Sequence, residues 1–124
     1  MARRTSIDLP FGDAEHHFHL DIPRLKQLQE KCNAGPPEIL ARLADGRARV
    51  EDAQETIRLG LIGGGMPAQQ ALKLIQDYAG DDTPLVEVIA TALMVLAAAV
   101  FGNPPPPPVP KEGGDEGNRE AATS

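Results

Sequence analysis

The sequence predicts an α+β domain, mainly α: an N-terminal β-hairpin packed on about five short helices, followed by a disordered, Pro-rich acidic C-terminal tail. Three observations carry this. The apolar period changes from two to about 3.6 near Asp21. Beyond that point, apolar helical rows alternate with Gly- and Pro-bearing breaks. From Pro104 onward, prolines, glycines and acidic residues replace the apolar ones. The expected layout is a flexible N-terminus over residues 1–4, a domain over 5–102 and a tail over 103–124.

The chain has 124 residues, enough for one domain. Phe11, Phe18, Tyr78 and Phe101 are its aromatic residues, and there is no Trp. The core must therefore come from Leu, Ile, Val and Ala, which favours helices. The formal net charge is −6 and the pI about 4.9, against a nucleic-acid binder, which usually carries a basic stripe. A single cysteine, Cys32, excludes an intrachain disulfide and a Cys-rich zinc site, and fits a reducing compartment. Arg3 and Arg4 precede no apolar run, so no signal peptide is expected.

In the hairpin, Ile7, Leu9 and Phe11 alternate, Gly12-Asp13 turns, and Phe18, Leu20 and Ile22 alternate again. Pro10 suggests an edge strand. Asp21 can cap the first helix and Pro23 suits its first turn, with Leu25, Leu28 and Cys32 on one face. Asn33-Ala34-Gly35 ends it. Pro36-Pro37 starts a second, with Ile39, Leu40 and Leu43 inward, and Asp45-Gly46 ends that one. A third helix is predicted over Val50–Leu61, with Glu51 and Asp52 favourably placed in its first turn and Val50, Ala53, Ile57 and Leu61 on its apolar row.

A glycine-rich stretch follows: Gly60-Leu61-Ile62-Gly63-Gly64-Gly65-Met66-Pro67. Three adjacent glycines suit a point where one helix stops, the chain turns with positive φ, and another helix starts at Pro67. The fourth helix runs from Pro67 to Tyr78, with Ala71, Leu72, Leu74, Ile75 and Tyr78 as buried candidates. Thr83-Pro84 opens the last helix, Leu85–Phe101, which is apolar nearly all round and reads as the central core helix. At 1.5 Å per residue it spans about 26 Å, short of a ~30 Å hydrocarbon core, and Glu87 and Thr91 interrupt it, so it is not read as a membrane span.

Candidate chemistry is sparse. His17, His19 and Asp21 would share one side of a strand, but a polar hairpin face explains them as simply as a metal site. The glycine stretch is neither G-x-G-x-x-G nor a P-loop, and a helix precedes it. Cys32 lies at a helix C-terminus, where the dipole disfavours thiolate. Arg42, Arg47 and Arg49 could touch phosphates, yet no basic recognition helix accompanies them. No catalytic residue, cofactor, metal or small-molecule substrate is expected.

Taken in order, Phe11-Gly12-Asp13, Phe18-x-Leu20, Arg42-Leu43-Ala44-Asp45-Gly46, Glu51-Asp52, Gly60-Leu61-Ile62-Gly63-Gly64-Gly65-Met66 and Ala97-Ala98-Ala99-Val100-Phe101-Gly102 resemble the gene transfer agent family of small phage-tail proteins. That family is classed with tail assembly chaperones and sometimes labelled tail tube proteins. The resemblance spans about residues 5–102, and its most specific part is the glycine stretch, Gly60, Gly63, Gly64, Gly65, Met66 and Pro67. It implies a non-enzymatic phage, prophage or gene transfer agent protein. As a tail assembly chaperone it would bind the tape measure and tail tube proteins in the bacterial cytoplasm. The alternatives are a structural minor tail or tail tube component of the particle and, less favoured, a small regulatory nucleic-acid-binding protein.

A chaperone for a long, helical client needs an apolar groove or an open strand edge. Ile7, Leu9, Phe11, Phe18, Leu93 and Leu96 are the residues expected to supply that partner-binding surface.

Overall fold

The structure is a computed structural model and describes residues 4–103. Residues 1–3 of the expected flexible start, the proline run and the acidic tail lie outside the described residues. Two strands, β1 (Ser6–Phe11) and β2 (Ala14–His19), precede five helices: α1 (Ile22–Cys32), α2 (Pro36–Asp45), α3 (Val50–Gly63), α4 (Ala68–Tyr78) and α5 (Leu85–Phe101).

The strands pair antiparallel in the register Ser6–His19 through Phe11–Ala14. Gly12 and Asp13 form the two-residue turn, with Gly12 at φ +70° as a II′ turn requires. Gly12 is needed for space as well, because a Cβ there would come within 2.6 Å of the Tyr78 ring. The period-two pattern sends Leu9, Phe11, Phe18 and Leu20 into the core, while Asp8, Pro10, Glu15 and His17 face outward. Phe11 meets Phe18 and Tyr78 edge to face, with ring centroids 6.4 and 6.2 Å apart. Ile22 departs from the alternation. It opens α1 and is 64% exposed, because the Asp21 carboxylate has already capped that helix by accepting the Arg24 N–H at 3.0 Å.

Glycine and proline set the helix ends, as the sequence predicts. Asn33 and Gly46 cap α1 and α2 in the left-handed conformation, and Pro67 and Pro84 stand at the N-caps of α4 and α5. One assignment is reversed. The central helix is α3, not α5. It packs against β2 and all four other helices, and Ala53, Thr56, Ile57, Leu59, Gly60 and Leu61 are buried on it. Its Val50, expected on the apolar row, is exposed. In α5 only one side is buried, through Val88, Ala92, Val95, Leu96 and Ala98.

A buried polar cluster joins α1, α2 and the start of α3. The fully buried Asp52 carboxylate accepts the Arg49 backbone N–H at 2.8 Å and Arg42 Nη1 at 3.2 Å. Arg42 also reaches Glu38, and Arg49 Nη2 donates to the Cys32 carbonyl at 2.6 Å. Three helix ends thereby satisfy one another's charges and orphan backbone groups.

Candidate functional site

The glycine stretch is a corner, and each glycine has its own reason. Gly60 and Gly63 lie inside α3, which runs two residues past the expected end. A Cβ on Gly60 would press within 2.9 Å of Val95. One on Gly63 would overlap the His19 carbonyl oxygen, and one on Gly64 the His17 carbonyl oxygen. Of the three adjacent glycines, Gly65 alone has positive φ, +113°. The Gly65 N–H bonds the Ile62 carbonyl and the Met66 N–H the Leu61 carbonyl, each at 3.0 Å, which makes a Schellman motif. The expected turn is present, but Gly63 and Gly64 serve close approach rather than backbone handedness.

This corner decides what the hairpin leaves open. Alternate residues of a strand direct their N–H and C=O groups to opposite edges. On β2, His17 and His19 direct their carbonyls outward, into the last turn of α3. The β2 edge is covered. On β1, Arg4 directs its backbone to Asn103, with which it forms an isolated antiparallel bridge. Backbone hydrogen bonds run both ways between the two residues. Asn103 also donates its side-chain N–H to the Ser6 carbonyl at 3.3 Å. By the same alternation, Ser6, Asp8 and Pro10 face that outer edge. Pro10 sits where its missing N–H costs no ladder bond to β2.

Beside this edge lies the free side of α5. Val86 is 71% exposed, Met94 49% and Phe101 69%. Together with Ala90, Leu93 and Ala97 they form one row along the helix, at i, i+4, i+7, i+8, i+11 and i+15. Next to its C-terminal half, Ile7, Met94, Ala97 and Phe101 line an open cleft of about 330 Å³. Glu87 is the one charged residue of α5 and lies at the flank of the row.

The residues expected from sequence to supply a partner surface are divided between core and surface. Leu9, Phe11, Phe18 and Leu96 are core residues, 7%, 6%, 0% and 0% exposed, because the hairpin's apolar face and α5's inner face are satisfied within the chain. Ile7 and Leu93 are half-buried and border the cleft or the row. Val86, Ala90, Met94, Ala97 and Phe101 were not expected from sequence as surface residues. A helix apolar all round hides which side is free.

The polar residues are mostly engaged. Every arginine from 24 to 58 lies within 4.0 Å of a carboxylate oxygen of the chain. His17 Nδ1 is 2.7 Å from Asp8 Oδ1 and His19 Nε2 is 3.0 Å from Thr5 Oγ1, both on the outer hairpin face. Asp21 caps α1 instead of joining them. Among the described residues no group of three His, Cys, Asp or Glu could hold a metal ion. Burial, then hydrogen bonding and charge from Asp52, pushes the Cys32 thiol up to about 12, so it is protonated at neutral pH. Among the described residues no helix is long and apolar enough to cross a membrane.

Residues 4–102 match a family model described as phage tail tube protein, GTA-gp10. No curated protein and no solved structure matches the chain. The matched span takes in the hairpin, the glycine corner and all five helices. The chain therefore belongs to the GTA-gp10 phage tail tube family, a family of gene transfer agent and phage tails.

Proposed function

We propose that this is a non-enzymatic structural component of a phage or gene transfer agent tail, which contacts neighbouring tail subunits through the free side of α5. The observation that carries this reading is the row from Val86 to Phe101, an apolar helix face left uncovered among the described residues. The family supplies the context, and an acidic body keeps such a protein soluble before assembly. Its location, in this reading, is the virion. The test is the copy number of the protein in purified particles. A structural component is present at a fixed, multiple ratio to the tail tube subunit. Absence from finished particles overturns the reading.

A second reading is the tail assembly chaperone, which holds the tape measure protein and leaves before the particle is complete. The same exposed row supports it, since an apolar helix face suits a helical client. Co-purification with the tape measure protein before assembly, combined with absence from particles, would select it.

A further inference from the structure

We infer that the occupant of the α5 row is a second copy of this chain, docked with its α5 antiparallel across a two-fold axis between Leu93 and Met94. The inference rests on the reading of that row as the contact surface.

The row is nearly symmetric about its own centre. Antiparallel pairing about that point sets Val86 against the partner's Phe101, Ala90 against the partner's Ala97, and Leu93 against the partner's Met94. Each contact then occurs twice, as an isologous interface requires. The two alanine pairs fall one heptad apart, on the same side of both helices. Small residues there let the axes approach to about 8 Å, the near end of the range for packed helices. The larger residues close the ends of the contact.

Charge selects the same orientation. The N-terminal end of α5 is acidic, with Asp81, Asp82 and Glu87 exposed. At the other end paired backbone hydrogen bonds to Asn103 hold the partly exposed Arg4, which places a cationic side chain there. Antiparallel docking brings the acidic end of each copy to the Arg4 end of the other and opposes the two helix dipoles. A parallel arrangement would stack acidic end on acidic end, in a chain of net charge −6.

The experiment uses the full chain. Sedimentation equilibrium should give twice the 13.2 kDa monomer mass, and Met94→Glu should return it to the monomer mass with a single cooperative melting transition that no longer depends on protein concentration, since Met94 is half-exposed. Cysteine trapping reads the register, because Cys32 is buried and silent. Met94→Cys, beside the axis, should cross-link on mild oxidation. Ala90→Cys alone should not, whereas the Ala90→Cys/Ala97→Cys double variant should. A monomer at every concentration, a larger closed ring, or rapid cross-linking of Ala90→Cys alone overturns the inference. Copy number in particles is a separate measurement. A trapped dimer absent from particles removes the structural role and keeps the interface. A monomer present in particles does the reverse.

Discussion

The outer edge of β2 meets the last turn of α3, whereas among the described residues the outer edge of β1 pairs only with Asn103. The two strands have equal length and belong to one hairpin, so the difference comes from what the following chain places beside them. Gly63 and Gly64 let backbone approach backbone and cover the His17 and His19 carbonyls. On β1, Pro10 and the charged Asp8 occupy the outward positions instead. One edge is protected by packing and the other by residues that make poor templates. Packing links an edge to the stability of the whole domain. Side-chain chemistry leaves the edge available.

The largest expected effect tests the packed edge. Gly63→Ala forces α3 off β2 and should cost at least about 3 kcal/mol, with Gly64→Val as severe or worse. At roughly 4–8 °C per kcal/mol for a domain of this size, the melting temperature should fall by roughly 12 °C or more. A fall of only a degree or two would mean that the corner does not brace the hairpin. Gly65→Ala sharpens the point. Nothing lies near its missing Cβ, so only the positive φ is penalised, at about 1–2 kcal/mol. In urea, the two adjacent substitutions should separate clearly in midpoint.

On β1 the effects should be small in stability and visible in association. Pro10→Thr adds an outward N–H and should change the unfolding free energy by no more than about 0.5 kcal/mol. It should raise concentration-dependent light scattering, because the edge becomes a better template. The smallest change expected is Asp8→Ala, which removes the half-exposed pair with His17 and should cost less than about 0.5 kcal/mol. A large loss there would show that the open edge is braced after all.

These contrasts mark where sequence was informative. The hairpin turn, the α1 cap at Asp21, the break at Asn33 to Gly35 and the opening of α5 at Pro84 all follow from local chemistry. Local rules also place Gly65, since a helix C-terminus favours positive φ. They miss Gly63 and Gly64, because the obstructing carbonyls lie more than 40 positions away in the chain. The central place of α3 was hidden for a related reason. Asp52, Glu55 and Arg58 make it look amphipathic, yet Asp52 is buried against Arg42 and the Arg49 backbone. In α5 the difficulty is the opposite. Its apolar residues go round the helix, so the free row from Val86 to Phe101 emerges only once α3 and the hairpin have occupied the other side. Phe18 and Leu96 shared the composition of a binding surface and became core by the same packing.

The bridge between Arg4 and Asn103 brings the two ends of the domain together. The backbone between them is therefore almost a closed circle. A short linker joining residues 4 and 103 should be tolerated if new termini are opened elsewhere, for instance at exposed Gly46, where an added Cβ would meet nothing. It also follows that anything fused to either end starts from the same point of the surface, beside Phe101. Two tags, one joined directly at residue 4 and one at residue 103, would report on a single location.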